Sequence, residues 1–207
     1  MLMQKPYINF SVIFWVLMLA LQGCTVTPQS EVEESASQVN VPPEAKAEFT
    51  RALEMVKASQ HGVALQLFQQ LAQRYPQLAG IHVNIGIIHL QNNKTENAIA
   101  ALKRAVQVNP ENASAHHHLG IAYRQTGQFT AAKASYLQAL KINSDYANAH
   151  LNLAILYDLY LQQLEPALEH YQHFQRLSGT EDKKVANWII DLTRRIKANK
   201  TKQPGGS

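Results

Sequence analysis

Residues 113–146, ASAHHHLGIAYRQTGQFTAAKASYLQALKINSDY, decide the fold. Laid over the segments on either side, they recur at an interval of 34 residues. One column holds Ala52, Gly86, Gly120 and Ala154, and a second holds Met55, His89, Tyr123 and Tyr157. Ala64, Ala98 and Ala132 form a third, and Phe68, Leu102 and Tyr136 a fourth. The last two columns continue at Ala167 and Tyr171, one residue late, so the inter-helix turn around residues 162–166 is expected to hold one extra residue. A period of this length is the mark of a solenoid, in which each unit is too small to bury its own apolar face and stacks on its neighbours.

The residue types fit helix pairs. Gly or Ala in the first column lets two helices approach closely, the alanine of the second helix does the same, and the large columns fill the space between. Pro76 and Pro110 end second helices, because proline lacks an amide hydrogen and clashes with the preceding turn. Residues Leu119, Gly120, Tyr123, Gly127, Ala132, Tyr136 and Ala139 together resemble the tetratricopeptide repeat (TPR), with His116 where the family prefers an aromatic. The resemblance implies an all-α TPR solenoid of four repeats, 45–78, 79–112, 113–146 and 147–178, the first the most divergent. Thr180 is expected to cap a further helix over 180–200, with Val185, Trp188, Ile189, Leu192 and Ile196 on one face. That helix would cover the apolar end of the stack, and residues 201–207 would form a disordered tail.

The N-terminus reads as an address. Lys5 precedes an apolar run over residues 10–21, whose 12 residues fall short of the ~20 that a spanning helix needs. The run ends at Leu21-Gln22-Gly23-Cys24, and Cys24 is the one cysteine in the chain. This resembles the lipobox of bacterial lipoproteins, although Gln22 stands where a small residue is usual. The resemblance implies a signal peptide over 1–23, lipid such as palmitate on Cys24, and residence in the cell envelope. In the family, Asp after the cysteine retains the protein at the inner membrane. Thr25 therefore favours the outer membrane, facing the periplasm. Residues 24–44 are polar and acidic and are expected to be a flexible tether.

Composition narrows the chemistry. The chain has 207 residues, 46% hydrophobic and 16% charged, which suits one globular domain. A net charge of +4 is mild and does not point to nucleic acid. Residues 181–207 carry seven Lys/Arg against three Asp/Glu, a basic face that is solvated or meets an acidic or lipid partner. Nothing calls for a cofactor, and there is no phosphate loop or nucleophile elbow, so no enzyme is expected. The histidines offer a remote alternative, a metal-binding periplasmic protein. His116, His117 and His118 are consecutive, so on a helix they diverge by about 100° each and cannot share an ion. His82, His116 and His150 share a repeat column and read as packing residues. Glu169, His170 and His173 are the best local ligand set, although such a cluster is more often solvated.

What remains is the inner face that the first helix of each repeat presents in this family. The resemblance maps its ligand-contacting positions onto Lys46, Phe49, Leu53 and Val56, then Val83, Asn84, Ile87, Leu90 and Gln91. The third repeat gives His117, His118, Ile121, Arg124 and Gln125, and the fourth Asn148, Leu151, Asn152, Ile155 and Asp158. Ile87, Ile121 and Ile155 stand where chaperone-docking members carry asparagine, so the face does not resemble their carboxylate clamp. An aliphatic face suits an amphipathic helix or an extended apolar peptide. Periodicity alone leaves open whether these isoleucines contact a ligand or pack as core. The expected function is a non-enzymatic scaffold that assists assembly or positioning of an envelope complex such as a pilus or secretion system. The alternative expectation is an accessory subunit of an energy-transducing envelope complex or an adaptor for cell-wall enzymes.

Overall fold

The structure, a computed structural model, describes residues 41–179 and 182–202. The lipobox with Cys24, most of the tether, Thr180 and most of the tail lie outside the described residues. Regular structure among the described residues is helical: α1 (Pro43–Lys57), α2 (His61–Arg74), α3 (Ala79–Gln91), α4 (Thr95–Val108) and α5 (Ala113–Gln125). There follow α6 (Phe129–Ile142), α7 (Ala147–Ile155) with a π-helical turn over Leu156–Tyr160, α8 (Leu164–Leu177) and α9 (Lys183–Lys202). None is long and apolar enough to cross a membrane. Helices pair α1/α2, α3/α4, α5/α6 and α7/α8, each pair touches the next, and α9 packs on α8. This is an all-α TPR solenoid with a capping helix.

The columns are where the pairs meet. Ala52, Ala64, Ala98, Ala132, Ala154 and Ala167 are wholly buried, as are Phe68, Leu102 and Tyr136. A Cβ at Gly86 would stand 2.5 Å from Leu102 Cγ, and one at Gly120 would run into the Tyr136 ring. Only hydrogen fits at these two positions, which is why the small column admits glycine inside a helix.

The turns repeat too. Ser59, Asn93, Gly127 and Gln162 have φ of 58°, 57°, 74° and 53°. The amides that follow close the turn onto Met55, His89, Tyr123 and Tyr157 carbonyls. The first three are five-residue closures, from Gln60, Lys94 and Gln128, and the fourth, from Gln163, spans six. The extra residue of the fourth repeat therefore lies between Tyr157 and Gln162, not in the turn at 162–166. The helix end absorbs it as a π turn, with the Leu161 amide donating to the Leu156 carbonyl at 3.1 Å.

That turn buries Asp158, whose carboxylate accepts from Arg195 of α9 at 2.9 Å. Val185 and Leu192 of α9 are sealed, Trp188 lies 5.3 Å from Tyr171, and Ile189 joins the same core. The N-cap of α9 is Asp182, not Thr180: its Oδ1 accepts from the Lys184 and Val185 amides at 2.9 and 3.1 Å. The helix runs on to Lys202, two residues into the segment expected as tail.

Candidate functional site: the inner face of the helix pairs

The first helices, α1, α3, α5 and α7, carry the residues mapped as ligand contacts, except Asp158, which lies in the π turn after α7. Ile87, Leu90, Ile121, Leu151 and Ile155 are half-buried. Each packs against a core cluster on one side and keeps surface on the other. These side chains are thus partly core: the clusters hold them in place while each stays only half-buried. Phe49 and Leu53 do the same in the first pair, where the Phe49 ring meets Phe68 edge-on at 5.3 Å.

Three mapped residues are withdrawn from the surface. Val83 is 5% exposed, wedged with Ala105 and Ala115 between successive pairs. Asp158 faces Arg195, as described above. His117 is 4% exposed and joins two repeats. The Asn152 amide gives one hydrogen to the Asn148 carbonyl at 2.9 Å and the other to His117 Nε2 at 3.1 Å. Nδ1 is then the protonated nitrogen, and it donates to Tyr146 Oη at 3.1 Å. Burial, then the neighbouring His118, lowers the His117 pKa to about 4, against a backbone hydrogen bond at Asn148. The ring is a neutral linker.

The polar rim is partly occupied with its own helices. Asn84 Nδ2 donates to the Gly80 carbonyl at 2.8 Å, and His118 Nδ1–H donates to the Ser114 carbonyl at 2.7 Å. Gln125 accepts from Thr95 at 3.2 Å. Asn148 is exposed. Arg124, on the last turn of α5, is half-buried, with its guanidinium 5.9 Å from the centre of the Tyr160 ring.

Three further histidines are anchored to backbone carbonyls. In the shared column the Nε2–H of His82, His116 and His150 donates to the carbonyls of Pro76, Pro110 and Ser144, at 3.1, 2.8 and 2.9 Å. Each partner lies six residues earlier, so the histidine pins the turn that leads into its own repeat. The sequence showed the column and missed the partner, because nothing in a pattern of side chains marks a carbonyl. His150 Nδ1 also accepts from His170 Nδ1–H at 2.8 Å, and His150 stacks on His173 at 4.8 Å. The ligand set Glu169, His170 and His173 thus becomes a trio with His150. Among the described residues no group of three or more such side chains is arranged to hold a metal ion.

The family model for the TPR repeat matches residues 86–127 and 120–159. No curated protein matches the sequence. Among solved structures, a thermophilic TPR protein of Thermus thermophilus is similar at 25% identity and a TM-score of 0.62, over 73% of this chain and 82% of that one. PilF of Pseudomonas aeruginosa is 16% identical with a TM-score of 0.67, over 74% and 69%. The first TPR of Spaghetti (RPAP3), bound to an HSP90 peptide, is 20% identical with a TM-score of 0.55, over 58% and 94%. Over residues 86–159 the chain matches the TPR repeat, and its helix pairs have the fold of the TPR solenoids to which it is similar.

Proposed function

We propose that the protein is a non-enzymatic adaptor that holds a segment of a partner protein along its inner face, tethered by lipid on Cys24 in the bacterial envelope. The observation that carries the binding half is the run of half-buried aliphatics Ile87, Leu90, Ile121, Leu151 and Ile155. Side chains held by a core below and bare above give a rigid apolar strip, and rigid anchors lose little entropy on binding. The Spaghetti domain holds a peptide on the same fold. The envelope half rests on residues 10–24. The task it fits is assembly or positioning of an envelope complex such as a pilus or secretion system.

Site-specific photo-crosslinking in intact cells tests the binding half. Probes at Asn84 and Asn148, on the inner face, should give a shared, discrete adduct. Probes at Arg104 and Leu137, exposed on second helices, should not. Adducts from the outer positions alone would place the partner elsewhere. For the anchor, Cys24→Ser should abolish incorporation of labelled palmitate and release the protein from the membrane fraction. Label that still enters the variant removes the lipoprotein claim.

A further inference from the structure

Arg124 is a half-buried charge on the inner face with no carboxylate partner among the described residues. The repeat column of Arg124 otherwise holds Val56, Leu90 and Asp158. The three ion pairs among the described residues use Arg74 and Arg195, none uses Arg124, and Asp158 is turned to Arg195. Arg124 Nε and Tyr136 Oη are shut from water and face each other's side chains. The π turn brings Tyr160 over the guanidinium, and Phe129 backs the Tyr160 ring at 4.8 Å. Burial opposes the Arg124 charge, but the Tyr136 and Tyr160 phenols hold it, and burial keeps the Tyr136 phenol protonated. Beside them Leu159 is 62% exposed and Tyr160 42%.

A half-buried cation answered by phenols and by no carboxylate is costly, and an anion brought to it would offset that cost. We propose that Arg124 and Tyr160, backed by the buried Tyr136, form a seat for a carboxylate of the bound partner segment, an acidic side chain flanked by apolar residues. The guanidinium offers planar paired donors that match a carboxylate, and the exposed Tyr160 phenol adds an O–H donor from the side. Leu159 and the Tyr160 ring receive the flanking apolar groups. The seat depends on the fourth repeat's insertion, because the π turn is what places Tyr160. It adds one polar contact to the peptide-binding reading above and rests on it.

The test uses the folded domain and two capped peptides, acetyl-Leu-Glu-Leu-amide and its Gln counterpart. The Arg124 Nε–H resonance is assigned by its loss in Arg124→Met. It should shift saturably with the Glu peptide, and about tenfold less affinely with the Gln peptide. Tyr160→Phe, which keeps the ring, should weaken the Glu peptide several-fold. Arg124→Met should melt at the parent's temperature or above it, because it removes an uncompensated charge. Equal response to both peptides, or no response to the Glu peptide in the millimolar range, overturns the seat and leaves the inner-face crosslink to decide the wider reading. Inorganic phosphate that competes as well as the Glu peptide overturns the assignment to a peptide carboxylate. A melt lowered by many degrees in Arg124→Met makes Arg124 a structural residue and overturns it too.

Discussion

Gly120→Leu is expected to cost about 3 kcal/mol or more and to lower the melting temperature by roughly 10 °C. The added side chain would enter at the Tyr136 ring, which is wholly buried under Leu153, Ala154 and the π turn. The ring has no free direction to move, so the α5/α6 pair must splay. Higher helix propensity for leucine returns only about 1 kcal/mol. Two other glycines provide contrasts. Gly127, at φ 74° with nothing near its Cβ position, should cost about 1–2 kcal/mol as alanine, through backbone strain alone. Gly62, in helix with open space around it, should tolerate alanine or gain from it. Urea denaturation of the three variants checks the order. A Gly120→Leu protein as stable as its parent would contradict the packing described here.

Stability should also fall with acid. His117 and His170 have pKa values lowered to about 4, both chiefly by burial, with His118 and His150 respectively adding to the effect. Burial lowers His89, His118 and His150 as well. The unfolded chain titrates near 6.5, so between about pH 6.5 and 4 it binds more protons than the folded one. The stabilisation is complete above the unfolded pKa and is lost as pH drops through that window. His117, nearly sealed, accounts for up to about 3 kcal/mol of the change. His170 is more exposed, so its share is smaller. Around the trio of His150, His170 and His173, Arg176 adds to the repulsion while Asp145 and Glu169 oppose it. Denaturant melts from about pH 7.5 to 4.5 should show the decline, and His117→Gln should flatten it. A stability that is level across that range would contradict the neutral buried histidines.

Much of this architecture was legible because the repeat samples the same packing problem four times. Ala64, Ala98, Ala132 and Ala167 line up for one reason, that a second helix must pass close there, and all four are sealed. The one-residue offset at Ala167 and Tyr171 was visible, but its place was not. A helix end and a loop absorb an insertion equally well until a distant partner decides, and here the partner is Arg195, 37 residues beyond Asp158. The sequence pointed to Thr180 as the cap, and the helix start at Lys183 makes it Asp182 instead. The site was legible as a face but not in depth. His117 and Ile121 belong to the same helix and the same stripe, yet His117 meets Tyr146 at the end of its own repeat and Asn152 of the next and disappears, while Ile121 keeps an edge in the open. Tyr160 carried no periodic signal, because the π turn that positions it breaks the period.

The central claim, that the inner face holds a partner's segment, is tested most directly by repeating the Asn84 photo-crosslink in two backgrounds. Ile121→Glu puts a charge on the apolar strip, and Asn148→Arg puts bulk on an exposed residue of the same face. Circular dichroism melts accompany both, since Ile121 also packs against the core. The account predicts that the adduct disappears in both variants while the Asn148→Arg melt matches the parent. An undiminished adduct in an Asn148→Arg protein and a folded Ile121→Glu protein would contradict it.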